Sequence, residues 1–467
     1  MTTADWAAPL REAAQSGEAN KSLPWYELVH QDAVALPEYL REAHHYTPKS
    51  TEVPIERYTS REWHELEKEH LWRKVWQFAC REEHLPEVGS YVVYDIAGDS
   101  YVVVRTRDGI KAFVNACLHR GRTLKDYDGR CSEFRCSFHG FTWRLDGSLR
   151  FVPARGELPG VDLDSPEWAL PEAQVGTWGG FVFINPDPAA EPLEAFLGGL
   201  PDHFARWDFE HRYLEAHVAK MLRCNWKVAQ EAFDEGLHLG ATHPQSSPYV
   251  GDVNAAVDVY GNWARQISPS GTPVEDLPVE VEDIDIVKRM LDIREGEKLP
   301  IPFEQDSTAR GSMSAAARER WRAALGDEVD EISDAELLDH WNYAIFPNFH
   351  PWGGYNRVVY RFRPNGDKHD ECIFEVMFLT PYRGERPKTA ECTYVGFDQS
   401  AAEKAPELST LAMVMDQDCF NMEAVQRGLS TTRRTRATLT EYQEAMIAWR
   451  HDLLDEWVRD RDSGDRP

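Results

Sequence analysis

The sequence has few cysteines, no long apolar run and comparatively few basic residues. Eight cysteines in 467 residues are too few for a disulfide scaffold, and no run of about 20 apolar residues, the length of a membrane helix, occurs. The 79 acidic residues outnumber the 51 basic ones, and the formal net charge of −28 argues against nucleic acid or an anionic membrane as partner. Residues 1–5 lack the basic and apolar stretches of a secretory signal. We therefore expect a cytoplasmic protein with two or three domains that binds neither nucleic acid nor membranes.

Two short segments each contain one cysteine and one histidine. The first is Cys117-Leu118-His119 and the second is Cys136-Ser137-Phe138-His139. Four such ligands can form a tetrahedral zinc site, but zinc fingers usually keep their two cysteines together and their two histidines together. One cysteine and one histidine in each segment favours a [2Fe-2S] cluster in which the cysteines bind one iron and the histidines bind the other. The remaining six cysteines show no paired spacing, and we expect reduced thiols.

These two segments resemble the ligand loops of Rieske [2Fe-2S] proteins. Four further residues fit the same loops: Arg120, Gly121, Gly140 and Trp143. The resemblance implies that the cluster ligands are Cys117, His119, Cys136 and His139.

The residues around the two loops alternate between apolar and polar positions, as in β-strands. Residues 91–94 and 101–104 predict strands, Asp108-Gly109 predicts a hairpin turn, and residues 145–149 predict a second turn after the second loop. We therefore expect a small antiparallel β domain with the cluster at the tips of two hairpins. The predicted boundaries are an N-terminal arm at residues 1–56, the Rieske domain at 57–187 and a catalytic domain at 188–467.

A second motif lies in residues 225–244. Asn225 is a suitable N-cap for a helix, and on that helix Glu235 and His238 share a face. His238 and His243 are about 140° apart on an ideal helix, so they reach one metal only if the helix bulges or ends between them. Two histidines five residues apart are weak evidence alone. After the Rieske loops, however, the segment resembles the mononuclear-iron motif of the Rieske oxygenase α subunits, which implies that His238 and His243 are iron ligands.

A facial triad of two histidines and one carboxylate needs an acidic residue from elsewhere in the chain. Residues 415–428 resemble the third-ligand helix of the same family, and Asp418 stands at the position of the family ligand. Asp416 is the alternative, because the sequence alone does not fix the phase of the helix. The family often has Asn where this chain has Ala232, and many members have Asp where this chain has Glu235.

The resemblance extends from about Tyr58 to the end and implies an α+β protein. An N-terminal antiparallel β Rieske [2Fe-2S] domain would be followed by a catalytic domain with an antiparallel sheet covered by helices. The implied function is that of a Rieske oxygenase catalytic subunit, which hydroxylates an aromatic or other apolar ring substrate by cis-dihydroxylation or monooxygenation. The implied cofactors are the cluster and a mononuclear Fe(2+), with dioxygen as co-substrate and NAD(P)H acting through a reductase. The alternatives are a Rieske O- or N-demethylase and an electron carrier without oxygenase activity.

The resemblance also implies partners and a substrate pocket. We expect a ferredoxin and/or flavin reductase as electron donor, and a homotrimer in which one chain's cluster lies beside the next chain's iron, with or without a β subunit. Glu235 is the catalytic candidate that bridges the two metal sites through His238 and a cluster histidine of the neighbouring chain. Six apolar residues are pocket candidates that can equally be ordinary core: Phe233, Leu237, Leu239, Val250, Phe346 and Phe349. Residues 273–334 are expected to form either a lid over the pocket or a solvent-facing insertion.

Overall fold

The structure is a computed structural model. It describes residues 23–458, except residues 276, 278, 295 and 305. Within that part of the chain, no helix is long and apolar enough to cross a membrane. The predicted α+β class is confirmed: antiparallel sheets dominate and helices cover them.

Twenty strands of the described residues form four sheets. They are β1 (Glu52–Pro54), β2 (Gln77–Arg81), β3 (Ser90–Ile96), β4 (Asp99–Thr106), β5 (Gly109–Val114), β6 (Gly129–Arg130), β7 (Phe134–Arg135), β8 (Thr142–Trp143), β9 (Leu149–Phe151), β10 (Glu172–Trp178), β11 (Phe181–Asn185), β12 (Arg212–Leu222), β13 (Ala256–Val259), β14 (Trp263–Ser268), β15 (His340–Ile345), β16 (Phe349–Pro351), β17 (Val358–Pro364), β18 (Cys372–Pro381), β19 (Cys392–Val395) and β20 (Arg436–Thr438).

The α-helices of the described chain are α1 (Trp25–Leu28), α2 (Glu38–Arg41), α3 (Glu56–Thr59), α4 (Arg61–Glu67), α5 (Leu193–Leu197), α6 (Leu200–Phe204), α7 (Trp226–Glu231), α8 (Leu239–Thr242), α9 (Asp283–Met290), α10 (Ala309–Leu325), α11 (Asp334–Leu338), α12 (Ala401–Lys404), α13 (Thr410–Thr431) and α14 (Ala445–Val458). Lys68–Trp72 forms a π-helix directly after α4.

The first large sheet has the strand order β2-β11-β10-β5-β4-β3-β6. The strands of the three-stranded sheet β7-β8-β9 come between β6 and β10 in the sequence. The second large sheet has the order β13-β14-β15-β16-β17-β18-β12-β19 and is antiparallel except for the parallel pair β12 and β19. The predicted boundary after residue 187 falls between β11 and α5. It stays a prediction, because one hydrophobic core continues across it, from Phe78 and Phe183 to Phe349.

The described part of the N-terminal arm packs on the second large sheet and its helices. Trp25 is fully buried and its Nε1 donates to Asp339, 2.9 Å away. Tyr26 donates its hydroxyl to Asp258, and Tyr46 donates to Asp452. Residues 23–56 therefore lie over the body of the same chain, and residues 1–22 are outside the described part.

Two sequence-based helix boundaries are wrong. The sequence predicts a single helix over residues 191–207, but the helix is interrupted after α5, because Gly198 takes a positive φ of 52°, and α6 then begins after Gly199. The apolar spacing near the end of the chain predicts a last helix that begins at Thr438. That residue instead pairs with Glu52 in the small sheet of β1 and β20, and α14 begins at Ala445. A contact with a segment almost 400 positions away in sequence determines this end of the helix, and local propensity does not report it.

Candidate metal centres and substrate cavity

The two cysteine-histidine loops have the same backbone conformation. In the first, the amide of Cys117 donates to the carbonyl of Arg122, and the amide of Gly121 donates back to the carbonyl of Cys117. In the second, Cys136 and Gly140 make the equivalent bonds, with Phe141 as the acceptor. Gly121 and Gly140 have φ values of 74° and 82°, which glycine adopts without strain. The loops therefore present two equivalent sets of ligands.

The four side chains of these loops fit a cluster with two sulfur and two nitrogen ligands. Cys117 and Cys136 are buried, reduced and close to each other, and burial raises the pKa of the Cys117 thiol. The rings of His119 and His139 lie 4.8 Å apart, and His119 stacks on Phe141 at 4.4 Å. His119 Nδ1 is buried and has no hydrogen-bond partner among the described residues. A buried nitrogen without a partner is costly, and a metal bond would satisfy it.

The outer ends of the cluster loops are exposed and carry mixed charges. Arg122 makes an ion pair with Asp126 at 2.6 Å, so part of the basic surface near the loops is neutralised. Arg120 lies over the ring of Phe138, and neither Arg120 nor Arg135 makes an ion pair within the described ranges. Phe138, next to His139, is 56% exposed. This tip is therefore an aromatic and basic surface.

The segment with His238 and His243 is not one continuous helix. Asn225 caps α7 by accepting from the amide of Lys227, which confirms the predicted N-cap, and α7 ends at Glu231. The short helix α8 then lies between the two histidines, with His238 just before it and His243 just after it. Because α8 ends at Thr242, His243 leaves the helical path, and both imidazoles lie near one point. On an ideal continuous helix the two side chains would point in different directions.

Asp418 of α13 lies beside the two histidines and completes a group of side chains that could hold a metal ion. One ligand atom each from His238, His243 and Asp418 lies within 4.8 Å of the other two. His243 Nε2 is 2.8 Å from Asp418 Oδ1, and His238 Nε2 is 3.8 Å from the same oxygen. These are the donor types of a non-haem iron site with three protein ligands and open positions.

Asp416 faces a different part of the molecule. Its carboxylate accepts hydrogen bonds from Ser400 Oγ and from the amides of Ala401 and Ala402, at the N-terminus of α12. A carboxylate with three such donors is held as a helix cap. The contacts therefore distinguish the two aspartates: Asp418 lies beside His243, whereas Asp416 binds the N-terminus of α12. The sequence alone allows either one as the third ligand.

The outer nitrogens of both histidines are held by hydrogen bonds. His238 Nδ1 donates to Glu235 Oε1 at 2.7 Å, and Glu235 Oε2 accepts from the amide of His238 at 3.1 Å. His243 Nδ1 donates to Gln417 Oε1 at 2.8 Å. Such partners fix the tautomer and orient Nε2 towards a metal. Burial lowers the pKa of His238, and the carboxylates of Glu235 and Asp418 raise it, with a net increase.

A buried network below this segment was not found from the sequence. Asp234, directly before Glu235, makes two-pronged contacts of 2.7 to 2.9 Å with Arg450 of α14, and both side chains are fully buried. Gln230 donates to the carbonyl of Pro347 and contacts His350 Nε2 at 2.8 Å. A polar residue such as Asp234 gives no local signal for a partner more than 200 positions away. The network anchors the ligand segment to the end of the chain.

A cavity of about 590 Å³ opens beside the three ligands. Of the six pocket candidates, Phe233, Leu239 and Val250 line it. Leu237, Phe346 and Phe349 do not: Leu237 is half-buried outside the lining, Phe346 packs near Trp457, and Phe349 packs on Phe78. Their apolar character reflects ordinary core packing. Residue 320 on α10 also lines the cavity, so the insertion at 273–334 covers one side of it.

Two family models match the chain. The Ring hydroxylating alpha subunit (catalytic domain) model matches residues 203–460, more than half of the chain, and the Rieske [2Fe-2S] domain model matches residues 75–162.

Two curated relatives show similarity over part of the sequence. The carnitine monooxygenase oxygenase subunit of Escherichia coli (strain K12) is 32% identical over 218 residues, which cover 46% of this chain and 58% of that protein. The anthranilate 1,2-dioxygenase large subunit of Acinetobacter baylyi is 34% identical over 196 residues, which cover 40% of this chain and 41% of that protein. The chain therefore spans about half the length of the curated relatives it matches.

Among solved structures, a quaternary ammonium Rieske monooxygenase, studied for carnitine oxidation by gut microbiota and inter-subunit electron transfer, has the same fold. Its TM-score is 0.60 at 20% identity, and the match covers 91% of this chain and 100% of that one. The two family models establish that the chain belongs to the ring-hydroxylating alpha subunit family, with a Rieske [2Fe-2S] cluster and a mononuclear iron as its cofactors.

Proposed function

We propose that this chain is the catalytic subunit of a Rieske non-haem iron oxygenase. It takes electrons from NAD(P)H through a reductase, a ferredoxin or both, and uses dioxygen to hydroxylate an organic ring substrate. The observation that supports this proposal best is the convergence of His238, His243 and Asp418 beside a cavity large enough for such a substrate. An electron carrier has no need for a triad of two histidines and one carboxylate beside such a cavity.

The reaction needs two electrons and two protons for each dioxygen. In a dioxygenation both oxygen atoms enter the substrate as hydroxyl groups, and in a monooxygenation one enters the substrate and the other leaves as water. The bound irons supply electron storage and dioxygen activation, and the protein supplies the ligands, their orientation and an enclosed cavity.

We assign the ligands residue by residue. Cys117 and Cys136 hold one iron of the cluster, and His119 and His139 hold the other. His238, His243 and Asp418 hold the mononuclear iron, with Glu235 and Gln417 fixing the imidazoles through Nδ1. Asp416 has no place in this assignment, because its carboxylate caps α12.

We further propose that the chain works as a head-to-tail homotrimer, in which the cluster of one chain serves the iron of the next. Exposed apolar side chains near both centres support this arrangement: Phe138 lies at the cluster tip, and Phe420 and Val425 lie on the outer face of α13. A second cavity of 290 Å³, lined by Glu235 and Val425, approaches the mononuclear site from this face. Glu235 would then accept from His238 on one side and from the cluster histidine His139 of the neighbouring chain on the other. Its Oε2 already accepts from the amide of His238, so the bridge uses the remaining lone pairs of the carboxylate.

Complementation between two inactive variants tests the trimer. Cys136→Ser removes a cluster ligand and Asp418→Ala removes an iron ligand, so each variant alone is expected to be inactive. Co-expressed chains should regain activity, because a mixed ring contains interfaces where an intact cluster meets an intact triad. Mixed trimers of verified composition that stay inactive would show that electrons do not cross between chains.

A product screen tests the function itself. Holoenzyme, a reductase system and dioxygen are incubated with aromatic and methoxylated compounds, and mass spectrometry with ¹⁸O₂ distinguishes diols, alcohols and demethylated products. The proposal expects substrate-dependent NAD(P)H oxidation and labelled product, both lost in Asp418→Ala. Cluster reduction without any substrate-dependent reoxidation by dioxygen would instead identify an electron carrier. Aromatic catabolism, a β subunit and the cytoplasmic location stay predictions.

A further inference from the structure

The cavity beside the triad is polar on one side. Strands β14 and β15 pair with Gln266 opposite Asn342 and with Ser268 opposite His340. Opposed residues of an antiparallel pair point to the same face of the sheet, as do residues two apart along a strand. All four side chains therefore form one patch on the sheet, and all four line the cavity.

The other side of the cavity is apolar. It is lined by Val358 and Tyr360 of β17, Phe378 of β18, and Phe233 and Leu411. Phe233 packs on Tyr360 with 4.7 Å between the ring centres. The cavity thus provides an apolar surface next to a hydrogen-bonding surface, and an unsubstituted hydrocarbon would leave the second surface without partners.

Two buried nitrogens in this lining have no hydrogen-bond partner within the described ranges. They are Nε1 of Trp352 and the amide nitrogen of Gln266, whose side chain is 4% exposed. An indole N–H only donates, so no change of tautomer or flip of an amide satisfies Trp352. A buried donor of this kind needs an acceptor, and a ligand in the cavity can supply it.

The basic residues of the lining differ in their partners. Arg357 pairs with Glu215 and packs over Phe378. Arg320 of α10 makes no ion pair with any described residue and lies 6.0 Å from the ring of Trp321. The acidic residues that line this cavity are Glu235 and Asp418, both at the metal end. At the opposite end the charge of Arg357 is balanced by Glu215, and the exposed guanidinium of Arg320 is left without an acidic partner among the described residues.

The basic and hydrogen-bonding residues at this end of the cavity lie away from the triad. Arg320, His340, Asn356 and Arg357 also line a neighbouring cavity of 440 Å³, and no member of the triad lines that second cavity. His340 adds no charge, because burial lowers its pKa. The charged, donor-rich end thus lies at the junction of the two cavities, beyond the apolar surface.

We propose that the substrate of this site carries a carboxylate at one end of an apolar body. The carboxylate accepts from Arg320 and from Trp352 Nε1, and the apolar body lies over Phe233 and Tyr360 and presents its carbon atoms to the metal. Charge-assisted hydrogen bonds of this kind fix the orientation of a ligand as well as its affinity. The proposal rests on the proposed function, because it assumes that this cavity is the substrate site.

Binding of matched compounds to the anaerobic holoenzyme tests the carboxylate. Benzoate, cinnamate and 2-naphthoate are each compared with the corresponding amide and with benzene, styrene or naphthalene by calorimetry. We expect at least one carboxylate to bind about tenfold more tightly than its two counterparts, as one charge-assisted hydrogen bond provides. Arg320→Met should remove that preference and leave the hydrocarbon affinity unchanged. Arg322→Met is the matched control, because Arg322 lies on the same helix and pairs with Asp330 instead of lining the cavity.

Trp352→Phe separates the second donor from the first. It should weaken the carboxylate and the amide about fivefold each, because both offer an acceptor, and should spare the hydrocarbon. Amides that bind as tightly as the carboxylates, or carboxylates indifferent to Arg320→Met, would overturn the proposal. These measurements need no turnover, so they fail independently of the oxygenase reaction, which the product screen tests.

Discussion

The two metal regions of this chain are built in opposite ways. All four cysteine and histidine residues of the cluster loops lie within residues 117–139, on a small hydrophobic core of their own that includes Phe134 and Trp143. In the triad, His243 and Asp418 are 175 positions apart and meet only because α13 crosses the ligand segment. The comparison shows that a local motif can specify a complete site, whereas the triad depends on the packing of the whole second sheet and its helices.

The ion pairs around the two regions also differ, in how exposed they are to solvent. The cluster tip is exposed and its charged neighbours form surface ion pairs, such as Arg122 with Asp126. Below the triad, Asp234 and Arg450 are fully buried. Exposed pairs contribute little to stability, whereas breaking a buried pair leaves an unpaired charge inside the protein. The two regions should therefore respond to mutation by different amounts and through different observables.

Removal of the third iron ligand should separate the two regions completely. Asp418→Ala is expected to lose most of its mononuclear iron and all detectable turnover, and to keep the visible absorption of the cluster, because the cluster loops share no ligand with the triad. Metal analysis and the visible spectrum measure the two outcomes. Asp416→Ala is the matched control, with iron retained and a stability loss of about 1–2 kcal/mol from the lost helix cap. The opposite pattern in the two variants would show that the triad is wrongly assigned.

The link between the two regions should depend on Glu235. Glu235→Gln keeps the shape of the side chain but places an amide N–H against one of the donors that the carboxylate accepts from. We expect normal cluster reduction, retained iron and trimers, and a loss of about 100-fold in the single-turnover rate at which substrate and dioxygen reoxidise the cluster.

Gln417→Leu is the counterpart of this variant on the other histidine. It removes the acceptor of His243 Nδ1 without touching the face near Glu235. Iron affinity should fall about tenfold while iron-loaded enzyme reoxidises its cluster at nearly the normal rate. Reoxidation at the wild-type rate in Glu235→Gln, with iron and trimer verified, would eliminate the bridge.

Stability should distinguish the buried pair from an exposed one. Arg450→Met leaves the carboxylate of Asp234 buried without its partner and should cost about 3–5 kcal/mol. Arg150→Met near the cluster removes an ion pair with Glu133 in which Arg150 is 55% exposed, and should cost less than about 1 kcal/mol. Calorimetric unfolding of both variants measures the difference. Equal costs would mean that the network below the triad is not what holds the ligand segment.

The same contrast explains what the sequence could predict. The cluster loops are readable because ligands, spacing and the two glycines are local. The end of the helix before His243 followed from helix geometry, but the choice between Asp418 and Asp416 needed the contacts of Asp416 with Ser400 and α12. The polar wall of the cavity could not be predicted, because Gln266 meets Asn342 only through the register of β14 and β15. Core residues and pocket-lining residues are both apolar, so the sequence alone could not show that Phe349 packs on Phe78 in the core.

The smallest expected effect concerns the electron donor, and it refines the comparison at the cluster tip. Arg120 and Arg135 are exposed and make no ion pair with the described residues, whereas Arg122 is paired with Asp126. The net positive charge available to an acidic partner therefore comes from the first two and from the half-buried Lys125, which packs over Tyr91 and makes no ion pair with the described residues. Arg120→Gln with Arg135→Gln should slow reduction of the cluster by a reduced acidic ferredoxin about threefold at low salt. The effect should be smaller at high salt, because dissolved ions screen the electrostatic attraction that steers the ferredoxin to the cluster tip.

The matched control is Arg122→Gln with Asp126→Asn, which removes an ion pair without changing the net charge and should leave the rate of cluster reduction unchanged. Stopped-flow absorption at several salt concentrations measures both. If the two double variants are equally fast at every ionic strength, the cluster tip does not steer its donor by charge and the exposed Phe138 is the better candidate for the contact.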